Sequence, residues 1–278
     1  MTFLELFKTD VRIERDICYR PEDGEDRHRL DIYAPPDATQ LPVVVYYYGG
    51  GWRSGDKNLF EHLGRAFAVR GLVAVVVNYR LTPDVKSPAH AEDCAAAAAW
   101  IQQNIASRGG DPSRIVLMGH SAGAHLAALL GVDRRYLDRV GFDHTALRGV
   151  VPVSGVYDLE AHLDTTVFTS AEHVSEAFGD TEEGLRESSP LRYVRAGLPP
   201  FLVIVAEEDP EGLRQQAREF SDALRDAGVD VFHISVKGRD HFSIVRRFGP
   251  SSDTTARAIA EFVHHVSGTT GEGANPMD

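Results

Sequence analysis

Six short stretches of the chain are apolar almost without interruption, at 43–48, 73–77, 115–118, 150–153, 201–205 and 231–234. Strands exposed on one face alternate apolar with polar residues, whereas strands covered on both faces read as near-continuous apolar runs, as in parallel sheets. Between the runs lie helix-like segments at 59–70, 91–106, 122–130, 213–227 and 254–266, several of them ending at glycine. Strand and helix alternating in this way predict an α/β fold, with one mostly parallel sheet and helices on both faces. Two further stretches, 11–19 and 28–33, alternate in polarity and are separated by Pro21, Asp23 and Gly24. They predict a leading antiparallel hairpin, which brings the sheet to eight strands.

A length of 278 residues allows two domains at roughly 150 residues each. No second apolar core is present, so residues 1–266 are expected to form a single domain. The segments near 133–146 and 157–198 break the alternation with mixed polar, aromatic, Pro and Gly residues, and are read as excursions forming a small cap. Residues 267–278 have no apolar anchor and are expected to be a mobile tail.

The formal net charge is −12, from 29 Lys and Arg against 41 Asp and Glu. Such a field repels phosphate backbones and anionic lipids, so neither nucleic acid nor a membrane is an expected partner, and neutral substrates are mildly favoured over anionic ones. No segment approaches the roughly 20 apolar residues of a membrane span. Residues 1–20 carry charges throughout and lack a signal-peptide core. Cys18 and Cys94 fit no metal-ligand spacing and are too few to staple the chain, so they are read as free thiols in a cytoplasmic protein. No HExxH, CxxC, GxGxxG or GxxxxGK string occurs, so neither a metal nor another cofactor is expected. Oligomeric state is not legible.

The chemistry gathers at Gly119-His120-Ser121-Ala122-Gly123, which follows one apolar run and opens a helix. At such a turn the serine is forced into a strained conformation with its hydroxyl projecting, and the flanking glycines avoid clashes. The bland alternative is a glycine-rich turn with a bystander serine. A nucleophilic serine needs amides aimed at the developing oxyanion. Tyr48-Gly49-Gly50-Gly51-Trp52, at the end of the first central run, offers the Gly49 and Gly50 amides, and Ala122 at the helix N-terminus offers a third. The bland alternative for three glycines in a row is a tight turn.

The serine also needs a base, and the base an orienting carboxylate. Among twelve histidines, His241 follows the last apolar run, while Asp209 follows the run before it. Both therefore belong at strand carboxyl ends, where open α/β sheets place functional groups. Glu207 and Glu208 remain alternatives for the acid. His120 is expected to point away from its neighbour Ser121, and His125 to pack. Ser154 and Asp158 are read as organising a loop.

At these residues the chain resembles the α/β-hydrolase superfamily, in the esterase branch with an HGGG-type oxyanion loop. It is similar to the feruloyl-esterase-like and kynurenine formamidase (arylformamidase) lineages, through Gly49 to Trp52, Asn78-Tyr79-Arg80-Leu81, Gly119 to Leu126, Ser154 to Leu159, Ser189-Pro190, Asp209 and Asp240-His241-Phe242. The resemblance implies Ser121 as nucleophile, His241 as base, Asp209 as orienting acid, and the Gly49, Gly50 and Ala122 amides as oxyanion hole. Tyr48 departs from the pattern, which begins with histidine. Substrate-facing candidates are Tyr48, Trp52, Tyr157, Phe168 and Phe242. The expected activity is cofactor-independent hydrolysis of short-chain or aryl carboxylic esters, small molecules in either case. An arylformamidase cleaving N-formyl aryl amides such as N-formylkynurenine is the first alternative. A non-catalytic ligand-binding protein on a hydrolase fold is the second, although such proteins typically lose a triad member and all three are present here.

Overall fold

The computed structural model describes residues 10–162, 171–249 and 253–268. Its strands are β1 (Arg12–Cys18), β2 (Arg29–Ala34), β3 (Leu41–Tyr47), β4 (Val73–Val77), β5 (Gly110–His120), β6 (Leu147–Val153), β7 (Phe201–Ala206) and β8 (Val231–Val236). All eight form one sheet in the order β1-β2-β4-β3-β5-β6-β7-β8. The β1–β2 and β2–β4 pairs are antiparallel and the remaining pairs parallel. This is the α/β-hydrolase fold that the sequence predicts.

The apolar runs form strands because both faces of the sheet are covered. Every residue of β4 and β7 is buried, as is every residue of β3 after Leu41, and each fully buried Val or Leu side chain contributes about 1.5–3 kcal/mol. Strand β5 begins five residues before its apolar run, because Gly110 pairs with Leu41 ahead of a register shift.

Five helices flank the sheet: α1 (Glu61–Ala68), α2 (Ala89–Asn104), α3 (Ala122–Val132), α4 (Glu211–Asp226) and α5 (Thr254–Val266). In β6, Gly149 lies against Phe262 of α5 while its neighbour Val150 lies against Gly131 of α3. Successive strand residues point to opposite faces, so α3 and α5 cover opposite sides. Helix α1 touches α5, α2 touches α3, and Phe201 meets both Gly131 of α3 and Phe220 of α4. Among the described residues no helix is long and apolar enough to cross a membrane.

The excursion at 133–146 forms a short helix, Arg134–Arg139, and a turn at His144–Ala146. The excursion at 157–198 contributes Leu159–His162, Ala171–Phe178 and Glu182–Glu187. Its second helix is tied to the body by Ser87, whose amide donates to the Ala177 carbonyl at 2.7 Å. Of the expected tail, Ser267 is buried and its amide donates to the Val263 carbonyl at the end of α5. Residues 269–278 and Phe168 lie outside the described residues.

Strand β3 lies between β4 and β5, so the chain leaves it first to one side and then to the other. A sheet opens a crevice at the carboxyl ends of its strands where the order reverses in this way. Gly49 follows β3 and Ser121 follows β5, so both stand at that crevice.

Candidate active site

Ser121 links β5 to α3 with φ 53 and ψ −119, a conformation costly for any residue with a Cβ. Neighbouring contacts hold it there. The Ser121 amide donates to the Val153 carbonyl at 2.9 Å, extending the sheet by one bond. A Cβ on Gly119 would lie 2.0 Å from the Gly123 carbonyl oxygen, and one on Gly123 would lie 2.0 Å from that of Tyr47. Only glycine at both positions lets α3 start this close to the sheet.

The Ser121 hydroxyl donates to His241 Nε2 at 3.0 Å, and His241 Nδ1 donates to Asp209 Oδ1 at 2.7 Å. The second Asp209 oxygen accepts from the Ser154 hydroxyl at 2.6 Å and from the Ala206 amide at 2.8 Å. Both His241 and Asp209 are buried. Neither glutamate alternative reaches the ring: Glu207 accepts from the Gly238 amide at 2.9 Å, bracing the turn before His241, and Glu208 is exposed. His120 does not turn away from the site as expected. It lines the cavity over Ser121, and its Nε2 donates to the His241 carbonyl at 2.8 Å. Burial, followed by the proximity of His241, lowers its pKa to about 3, so His120 is a neutral donor.

The glycine loop is braced from behind. The Tyr48 carbonyl accepts from the Tyr79 hydroxyl at 2.8 Å. The Gly50 carbonyl accepts from the amides of Arg53 and Ser54 at 3.2 and 3.0 Å. In trans peptides the N–H groups of Gly49 and Gly51 therefore point away from those partners. Gly49 abuts the serine, since a Cβ there would lie 2.9 Å from Ser121 Cβ. The Asn78-Tyr79-Arg80 string supports the same region. Asn78 accepts from the Lys57 amide at 2.7 Å, and Arg80 grips the buried Asp93 through Nε and Nη2.

Gly49, Gly50, Gly51, Ser121 and His241 open onto one cavity of about 730 Å³. Its remaining described lining is Arg53, Ser54, Leu59, Phe60, His62, His120, His173, Phe242, Val245 and Arg246.

Comparison with known families sets this geometry in context. The BD-FAE family model matches residues 30–224. The chain belongs to the BD-FAE family. It is 33% identical to the esterase LipQ of Mycobacterium tuberculosis over 91% of this chain and 62% of that protein. It is 31% identical to the kynurenine formamidase of Danio rerio over 84% of this chain and 75% of that enzyme. The chain thus spans less than two thirds of LipQ, and also of a second mycobacterial relative, LipM, at 64%. Among solved structures, an esterase from Pyrobaculum calidifontis superposes with a TM-score of 0.78 at 28% identity, over 95% of this chain and 89% of that one.

Within this BD-FAE chain, three of the expected substrate-facing aromatics are core residues. Tyr48 is fully buried between Phe60 and Tyr79, with its hydroxyl bonded to Arg27. Trp52 is also fully buried. It meets His125 and Phe178 edge-on and donates from Nε1 to His125 Nδ1 at 3.3 Å. Tyr157 stacks on Phe220 of α4. None of the three lines the cavity; proximity in sequence to a loop at the cavity does not determine which way a side chain faces. Phe242, 43% exposed, does line it. Sequence reasoning missed Leu59, Phe60, His62, His173, Val245 and Arg246. For Val245 and Arg246 a signal was present: they lie one helical turn beyond His241 and Phe242 respectively.

Proposed function

We propose that this protein is a serine carboxylic ester hydrolase acting on short-chain or aryl esters, with Ser121, His241 and Asp209 as its triad. One observation carries the reading: a strained serine within 3.0 Å of a histidine, itself 2.7 Å from a buried carboxylate, opens onto a cavity beside a glycine loop.

In this mechanism Ser121 Oγ attacks the ester carbonyl carbon while His241 Nε2 takes its proton. Asp209 holds the Nδ1–H tautomer and stabilises the imidazolium. Amides of the Gly49–Gly50–Gly51 loop and of Ala122 receive the oxyanion. Collapse expels the alcohol, to which His241 returns the proton, leaving an acyl group on Ser121. Water then attacks the acyl carbon, giving one proton to His241. The acid departs, and that proton restores the serine hydroxyl.

The same reading takes the described chain as one catalytic domain, with the 157–198 segment as a small cap. We place it in the cytoplasm, on the two free thiols Cys18 and Cys94. Arylformamidase activity is the second reading, favoured by the 31% identity to a kynurenine formamidase. A fluorophosphonate probe is expected to label Ser121 in the folded protein and to leave Ser121→Ala unlabelled. Absence of label on the wild type removes the hydrolase reading in favour of a binding protein. Rates on 4-nitrophenyl butyrate and N-formylkynurenine then separate the two activities, a strong preference for the formyl amide favouring the second.

A further inference from the structure

The cavity over Ser121 carries two arginines, although the protein as a whole is strongly acidic. Arg53, Arg246, His62 and His173 line it, and among its described lining residues there is no carboxylate. The two arginines differ in how their charge is met. Arg53 pairs with Glu176 at 3.1 Å. Arg246 has no carboxylate within ion-pair distance among the described residues, and its guanidinium instead lies over the Phe242 ring, 5.2 Å from the ring centre.

That placement is built into the chain. Asp240 Oδ1 accepts from the amides of Phe242 and Ser243 at 2.9 and 2.8 Å, which fixes the turn after His241. The Arg246 amide donates to the Phe242 carbonyl at 3.0 Å, bringing residue 246 back over residue 242. The Phe242 ring in turn stands edge-on to the His241 imidazole, with centres 5.4 Å apart. A column of imidazole, phenyl ring and guanidinium therefore runs outward from the reacting atoms. Guanidinium is always charged and presents donors in a fork that matches a carboxylate. The net charge of −12 opposes an anion only at long range, and salt screens that field over about 8 Å. Arg246, exposed at the cavity wall, lies within that distance of a carboxylate bound over Phe242.

We propose that Arg246 is a specificity residue that selects substrates bearing a carboxylate, pairing with it above Phe242 while the scissile carbonyl sits at Ser121. The proposal rests on the serine-hydrolase reading and names the substrate class of that site. It reverses the expectation of neutral substrates drawn from net charge.

Two matched pairs of esters place the charge on either side of the scissile bond: mono-4-nitrophenyl glutarate against 4-nitrophenyl pentanoate, and 4-(butyryloxy)benzoate against its methyl ester. In at least one pair the wild-type kcat/KM is expected to favour the carboxylated ester by about tenfold or more, through KM, and the preference is expected to shrink as NaCl is raised. Arg246→Gln erases the preference and Arg246→Lys keeps part of it. Neutral esters winning both pairs, a salt-insensitive ratio, or a ratio unchanged in Arg246→Gln each overturn the proposal while leaving the hydrolase intact. Failure of every ester together with failure of fluorophosphonate to label Ser121 overturns the hydrolase reading itself, and this assignment with it.

Discussion

The Ser154 hydroxyl lies 2.6 Å from Asp209 Oδ2, on the opposite side of the carboxylate from His241. Ser154 follows β6 and is held at φ 50, with its amide donating to the Ile204 carbonyl at 2.7 Å. A short bond to an ionised acceptor is worth about 1.5–3 kcal/mol. Ser154→Ala leaves Asp209 with the Ala206 amide and His241 but frees the carboxylate to rotate. The expected result is a fall in kcat of about tenfold at nearly constant KM, read with 4-nitrophenyl butyrate. An unchanged kcat would mean that the Ala206 amide alone fixes the carboxylate.

Replacing the acid itself is more severe. Asp209→Asn keeps the shape but favours the wrong histidine tautomer, and kcat is expected to drop by about three to four orders of magnitude. Glu208→Gln is the control, since that side chain is exposed. It should change kcat by less than about twofold. Circular dichroism and the thermal midpoint check that both variants fold, and a loss confined to Glu208→Gln would reassign the acid.

Gly50 and Tyr48 separate oxyanion geometry from its support. Gly50 has φ 132, and a Cβ there would meet the Ser54 carbonyl oxygen at 2.2 Å. Gly50→Ala must displace the loop, and kcat/KM is expected to fall by more than about 2 kcal/mol of transition-state stabilisation. Tyr48→Phe removes the hydroxyl that accepts from Arg27, yet Arg27 retains the carbonyls of Tyr79 and Gly55. Its expected cost is about 1 kcal/mol of stability with kcat/KM close to wild type, measured by denaturant unfolding and initial rates. The reverse ranking would mean that the Tyr48–Arg27 bond, rather than the backbone of Gly50, sets the geometry of the loop.

The fold was legible because each central strand is covered on both faces, so that 43–47 and 201–205 are apolar at every position. Ser121, Asp209 and His241 were legible because each lies in the loop that leaves the end of such a run. The cavity wall was not. Leu59, 66% exposed, and Phe60 reach it from a turn before α1, and His173 from the helix Ala171–Phe178, so their meeting depends on tertiary packing. Trp52 misled for a local reason: with φ 58 it follows Gly51 in the left-handed region, and its ring lies in the core against Phe178. His120 misled because adjacency to the serine implies a side chain turned away from it, whereas its ring reaches the His241 carbonyl.

His120 also sets an acid limit on stability. Its pKa in the folded protein is lowered to about 3, first by burial and then by His241, against about 6.5 when unfolded. A depressed folded value means that the unfolded chain binds the proton more readily. The stability is therefore fully present above about pH 6.5 and is lost as the pH falls towards 3, by up to about 1.4 kcal/mol per pH unit for this one group. His90, lowered to about 4 mainly by burial, acts in the same direction. Wild-type protein is thus expected to lose thermal stability between pH 7 and pH 5. His120→Asn should start lower, having lost the bond to the His241 carbonyl, but fall less over that interval while His90 still titrates. Scanning calorimetry of both proteins at the two pH values decides the matter. Equal losses would mean that the His120 ring gains its proton inside the folded protein without penalty, which a buried imidazole beside His241 does not permit.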